Sequence, residues 1–215
     1  MDRRVGQTVH EHVEHAIRIA LESTTQRRNF ALVRDGARIV PQLTATGNMS
    51  LLMPADGAVE KAIQDPLHLR PTCWSFVGDR GQIGIRLSQK VIPTYIALNF
   101  ARPTVSASYA PQQVVLWGVV DGGANQLIFD KGLREYRDAT TYLGAGPRES
   151  LGFTFLALAD VEYDPSLAFP LQTYSVESAV IDSRMVFGIV VVEIRGNWGG
   201  GRTSVCGLRI HGQVA

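Results

Sequence analysis

Only two cysteines, Cys73 and Cys206, occur among the 215 residues. That count excludes a disulfide-rich scaffold and a four-cysteine zinc site. An excess of charge of one sign is also missing: 21 Lys and Arg against 20 Asp and Glu leave a net charge of +1. Such a balance argues against a nucleic-acid binder that relies on a basic face, so no direct nucleic-acid partner is expected. No run of about 18 apolar residues exists, so no membrane span is expected within the chain. Met1-Asp2-Arg3-Arg4 runs into a polar amphipathic stretch rather than a secretory leader. Catalytic signatures are missing too. Gly199-Gly200-Gly201-Arg202-Thr203-Ser204 lacks the Gly-Lys-Ser/Thr ending of a phosphate loop. His10, Glu11, His12, Glu14 and His15 lack the zincin order and read as a solvated helix face. No Ser/His/Asp set or carboxylate pair stands out, and no enzymatic activity is expected.

What the chain does contain changes character near residue 27. Val5, Val9, Val13, Ala16, Ile17, Ala20 and Leu21 recur at spacings of three and four, predicting an amphipathic helix over residues 5–22. A helix this short is marginal in water, so its stripe requires a partner, either the globular domain or neighbouring copies. From Asn29 onward the pattern is that of strands. Ile83–Ser88 alternates with period two. Tyr95–Phe100, Gln113–Val120, Phe153–Ala159, Phe187–Ile194 and Leu208–His211 continue the series. Gly78–Gly81, Asp121–Asn125 and Gly196–Gly201 read as turns, and Asp138–Ser150 as a surface loop. Many short strands with turn punctuation predict a mainly β fold, an antiparallel β-sandwich over residues 27–215.

Two words carry the family resemblance. One is Cys73-Trp74-Ser75-Phe76-Val77-Gly78 running into Gly81–Ser88; the other is Asn197-Trp198-Gly199 closing through Cys206 to Arg209-Ile210-His211-Gly212. Asn29–Leu32 with Asp35–Val40, and Ser108-Tyr109-Ala110-Pro111 with Val114–Gly118, stand in the same order. Together they resemble the SUN domain, the lumenal receptor half of the nuclear-envelope bridge. The resemblance implies a compact jelly-roll-like sandwich with an N-terminal helical extension, assembled as a homotrimer. It also implies a membrane helix upstream of Met1 and a chain that is a lumenal fragment. Departures from the pattern imply a divergent member, of fungal or other non-animal type.

The family carries a mobile lid hairpin, which by position falls at residues 44–65. Asn48–Met53 reads as one strand and Ala58–Ile63 as the other, turning at Pro54-Ala55-Asp56-Gly57. An exposed hairpin edge lets an extended peptide add as a strand, and Asn48, Ser50 and Leu52 are the lid's candidate peptide contacts. The family's peptide is the C-terminal KASH tail of an outer-membrane protein. Its carboxylate pocket maps by position onto Phe100, Tyr109, Arg202 and Cys206. None of these is the animal residue, yet Tyr109 can donate a hydrogen bond and Arg202 can pair with a carboxylate. The family's cysteine for a covalent bond to the peptide falls at Thr44, so that interchain disulfide is not expected. Asn48-Met49-Ser50 also fits the glycosylation triplet.

The resemblance further implies a disulfide between Cys73 and Cys206; on the residues alone, two buried thiols are the alternative. A bridge closing a loop of over a hundred residues contributes about 4–5 kcal/mol in the chain-entropy description. Finally, the family wraps a monovalent cation, potassium, in backbone carbonyls, which by position are those of Ala62, Asp65, Leu67 and Thr72. No other cofactor is expected. The function implied is tethering at the inner nuclear membrane, with the domain facing the perinuclear space and linking nucleoskeleton or chromosomes to cytoskeleton. Two alternatives belong to other classes: an endoplasmic-reticulum SUN-like protein assisting membrane-protein folding, and a glycan- or lipid-binding sandwich module.

Overall fold

The computed structural model describes residues 27–46, 59–64, 73–100 and 106–215. The expected helix over residues 5–22 lies outside them, as does most of the expected lid. Nine strands run through the described residues: β1 (Arg38–Thr46), β2 (Trp74–Val77), β3 (Gly81–Asn99), β4 (Gln113–Val119), β5 (Phe155–Glu162), β6 (Leu171–Ser175), β7 (Phe187–Ile194), β8 (Arg202–Val205) and β9 (Gly207–Val214).

All the pairings among these strands are antiparallel. The main path is β1-β3-β7-β4-β5, while β6 and β9 pair with β3 off that path and β2 pairs with β8. The two stretches expected as separate strands, Ile83–Ser88 and Tyr95–Phe100, are one long strand. Its first half pairs with β1 and β7 through Gly81, Gln82, Gly84, Ile85 and Arg86. Its second half pairs with β6 and β9 through Tyr95–Asn99. Irregularities at Arg86–Val91 and Pro93–Tyr95 let the strand turn from one layer to the other. Pro93, with no N–H to give a ladder, sits at the second of them.

The sandwich core lies between these layers. Ile83, Ile85, Val114, Leu116, Leu158, Val190 and Val192 come from one side, and Trp74, Ile96, Leu98, Val205, Leu208 and Ile210 from the other. β4 is buried at six consecutive positions because its opposite face is covered as well. There Val115, Trp117 and Val119 pack with Leu43, Leu143, Phe155 and Val191 in a second cluster. The segment expected as a plain surface loop, Asp138–Ser150, supplies that cover. Leu143 is buried, and the Gln82 amide bonds the backbone of Glu149 through both its oxygen and its nitrogen.

Three other expectations differ. Asp121–Asn125 does not remain a turn: Gly122, at φ +83°, starts α1 (Gly123–Lys131). The buried Asn125 amide fastens that helix to Val186 through both its oxygen and its nitrogen, a contact invisible in local sequence. Ala58–Ile63 was read as a lid strand, but Val59–Ile63 is a 3-10 turn. Val59, Ala62 and Ile63 face the core while Glu60 and Lys61 are exposed, a spacing of three rather than two. Thr44–Thr46, at the other end of the assigned lid, closes β1. Thr44 Oγ1 accepts from Gly84 N and donates to Val40 O where the β1–β3 register shifts. Two helices absent from the sequence reading complete the fold, α2 (Arg134–Ala139) and α3 (Ser178–Asp182).

Candidate peptide-binding site

The short β2–β8 ladder builds the site's floor. Its register sets Trp74 opposite Val205 and Val77 opposite Arg202. Extending that register by one residue puts residue 73 opposite 206, and Cys73 and Cys206 are joined by a disulfide. The Cys206 amide donates to Asn99 O, which ties this end of the ladder to β3.

Beyond β8 lies the Asn-Trp-Gly turn, and its geometry explains the residue types. Asn197 Oδ1 accepts from Gly199 N, closing an Asx turn around a glycine at φ +92°. Asn197 Nδ2 lies within hydrogen-bond distance of Gly200 O, Arg202 O and Thr203 Oγ1. The turn is also held from outside. Trp198 N reaches Ala110 O and Gly200 N reaches Ser108 O. Trp198 Nε1 donates to Tyr163 O. Tyr109 closes the 3-10 turn Ala107–Tyr109, and its ring and the Ser108 carbonyl lie over Gly200, where no Cβ fits. Ser108-Tyr109-Ala110-Pro111 and Asn197-Trp198-Gly199, a long way apart in sequence, form one stapled unit.

The sequence-assigned positions separate into two kinds. Tyr109 is half-buried, and Arg202 is exposed at the start of β8, two residues after the glycine under the tyrosine ring. Arg202 forms no ion pair among the described residues. The turn that carries Tyr109 packs against β8, on which Arg202 stands. Phe100 and Cys206 are different: both are buried in the isolated domain. Phe100 is 0% exposed and meets the Tyr163 ring edge-on. Tyr163 in turn donates to Pro170 O and, through its carbonyl, supports Trp198. Phe100 therefore holds the site from beneath. Cys206 is buried and its sulfur is committed to Cys73. Asn48, Ser50 and Leu52 lie outside the described residues, as do Asp65, Leu67 and Thr72; Ala62 sits buried in the Val59–Ile63 turn.

Sequence reasoning missed the exposed apolar side chains beside this unit. Trp198 is 40% exposed, and Leu167 and Phe169, on the Tyr163–Pro170 loop that its indole bonds, are 51% and 62% exposed. The run Leu167-Ala168-Phe169-Pro170 between two strands was the available signal. Among the described residues no cluster of His, Cys, Asp and Glu forms a metal site. No helix among them is long and apolar enough to cross a membrane.

Residues 55–139 match the family described as Sad1/UNC-like C-terminal. The chain is 31% identical over 148 residues to SUN domain-containing protein 5 of Homo sapiens, covering 66% of this chain and 30% of that protein. The Mus musculus protein of the same name is 29% identical over 147 residues, with the same coverage. The matched region thus spans under a third of these relatives' length. Among solved structures, the family 32 carbohydrate-binding module from Streptococcus pneumoniae EndoD superposes with TM-score 0.52 at 9% identity, covering 86% of this chain and 100% of the module. An F5/8 type C domain from Bacteroides fragilis gives 0.51 at 9%, covering 85% and 95%. An allantoicase gives 0.50 at 13%, covering 86% and 43%. At such identities these likenesses show the β-sandwich fold alone. With its Cys-Trp strand, its stapled Asn-Trp-Gly turn and these matches, the chain belongs to the Sad1/UNC-like family of SUN-domain proteins.

Proposed function

We propose that the domain is a non-enzymatic tether that binds KASH-type C-terminal tails in the perinuclear space. The observation that supports this reading is the packing of the Ala107–Tyr109 turn against β8, with the Tyr109 ring on Gly200, two residues before the exposed Arg202. An exposed guanidinium without an ion pair is suited to a terminal carboxylate, which it can hold bidentately. Tyr109 would supply a neutral donor. The rest of the tail would add as a strand along the lid, where Asn48, Ser50 and Leu52 alternate.

A homotrimer would place three such clefts in one assembly and raise avidity through multivalency. Backbone carbonyls of Ala62, Asp65, Leu67 and Thr72 would hold potassium, since hard oxygen donors suit such a cation. The anchor would be a segment upstream in the full protein, at the inner nuclear membrane, and the load path would run from nucleoskeleton or chromosomes to cytoskeleton.

The test is a calorimetric titration with a KASH tail bearing a free C-terminus and with the same tail amidated. The free acid should bind at least about tenfold more tightly, which corresponds to about 1.4 kcal/mol. Arg202→Gln should remove most of that difference, and Tyr109→Phe a smaller part. Equal affinity for acid and amide, or no binding of either, overturns the reading.

A further inference from the structure

A half-open groove, of about 620 Å³, lies where the chain enters the domain. It is lined by Arg27 and Arg28, by Tyr95 and Ser175, and by His211 and Gln213 near the end of β9. β9 rises about 3.3 Å per residue, so His211 stands roughly 17 Å along the strand direction from Cys206. The groove is therefore distinct from the peptide site.

Its charge is one-sided. None of the described residues lining it carries a carboxylate. The Arg27 guanidinium lies 3.8 Å from the centroid of the Tyr95 ring and forms no ion pair among the described residues. Stacking holds that cation in place without neutralising it. A third arginine approaches the rim. Arg184 occupies the left-handed region at φ +60°, an uncommon backbone for a non-glycine residue. Its Nη1 lies 3.2 Å from Gln213 Oε1. That bond engages the Gln213 oxygen and leaves its NH2 to donate.

The histidine is held in one tautomer. Nδ1 of His211 is 3.0 Å from Arg28 O, an acceptor, so Nδ1 carries the hydrogen. Burial first, then the charges of Arg209 and Arg27, push its ionisation below the ordinary histidine value. Positive charge on the ring is thus opposed by positive charge around it. The hydroxyls of Tyr95 and Ser175 complete a wall able to bond a hydroxylated body. A groove of this size is large for a bare ion and suits a small organic ligand.

We propose that this groove binds a phosphate monoester carried on a polyol, as in an inositol phosphate, either free or as a phospholipid headgroup. Arg27 is the phosphate's anchor and Arg184 assists from the rim, while the Arg28 guanidinium is turned to Gln89 and the Phe30 ring. Ser175, Tyr95 and the Gln213 amide meet the ring hydroxyls.

The 215-residue protein is titrated with inositol 1,4,5-trisphosphate at physiological ionic strength. Vesicles of phosphatidylcholine, with and without phosphatidylinositol 4-phosphate, are sedimented with it in parallel. Saturable trisphosphate binding should weaken at least about tenfold in Arg27→Gln and more in the Arg27→Gln/Arg184→Gln pair. Arg134→Gln, which removes the same charge on α2, should leave it unchanged. Arg27 is exposed, and an unchanged unfolding midpoint confirms that the variant folds. Co-sedimentation with the phosphorylated lipid alongside trisphosphate binding assigns a lipid headgroup; trisphosphate binding alone assigns a free phosphate. No saturable trisphosphate binding overturns the proposal, whatever the vesicles do, and so does equal weakening by Arg27→Gln and Arg134→Gln.

Discussion

The Tyr109 ring lies directly on Gly200, and the Ser108 carbonyl would stand 2.8 Å from a Cβ placed there. Ser108 also accepts the Gly200 amide hydrogen bond. A methyl group at residue 200 must therefore push the Ala107–Tyr109 turn outward. Gly200→Ala is expected to lower stability by about 1–3 kcal/mol, the usual cost of overpacking. It should also weaken tail binding by displacing the tyrosine. Chemical denaturation and the tail titration read the two effects separately. Unchanged values for both would mean that the contact does not hold the site.

The disulfide is expected to carry much of the domain's stability. Cys73 and Cys206 are 133 residues apart, so the bridge constrains a long stretch of the unfolded chain. In the chain-entropy description a loop of that length contributes about 4–5 kcal/mol. Cys73→Ser/Cys206→Ser should lose roughly that amount in denaturant unfolding, and reductant should do the same to the parent protein. A loss under about 1 kcal/mol would show that β2 and β8 stay paired without the bond.

Much of the architecture was legible because it is written locally. Apolar runs between turn clusters located Phe187–Ile194 with its full bounds, and Gln113–Val120 to within one residue. The two family words located the disulfide and the stapled turn. What was not legible depends on distant partners. Asn125 fastens α1 through Val186, and Val59–Ile63 turns because its apolar residues meet β2 and β9. Phe100 was mapped to the carboxylate pocket by position, and sequence order could not show its packing against Tyr163. Tyr109 and Arg202 were nameable by position, but the seating of the Tyr109 ring follows from Gly200, whose lack of a side chain carries no periodic signal.

One polar network within the second apolar cluster is expected to be costly to break. Glu193 Oε2 accepts from Trp117 Nε1 at 2.9 Å and pairs with Arg195 Nη2 at 2.9 Å. Arg195 Nη2 also donates to Leu143 O at 2.6 Å, linking the 140–150 segment to β7. The carboxylate side chain is only 12% exposed and the guanidinium 22%. Glu193→Ala would strand both the indole N–H and the arginine. Its cost should be about 2–4 kcal/mol, well above the 0–1 kcal/mol typical of exposed ion pairs. Glu193→Gln, which keeps an acceptor for Trp117, should cost less. Equal costs for the two variants would mean that Trp117 gains nothing from the acceptor.

Stability should also fall on mild acidification, through His211. Burial, together with the charges of Arg209 and Arg27, lowers its folded value below the ordinary 6.5, although the bond to Arg28 O pulls the other way. Above pH 6.5 the ring is neutral in both the folded and the unfolded chain, and its contribution is constant. As pH falls through 6.5, the unfolded chain takes up a proton that the folded domain still refuses. Unfolding is then favoured until the pH drops below the folded value, where both forms are protonated. His211→Gln keeps a donor for Arg28 O and does not titrate. Between pH 7.5 and 5.5 the parent protein should lose more stability than the variant in urea unfolding. Parallel pH profiles for the two proteins would show that His211 is not the group responsible.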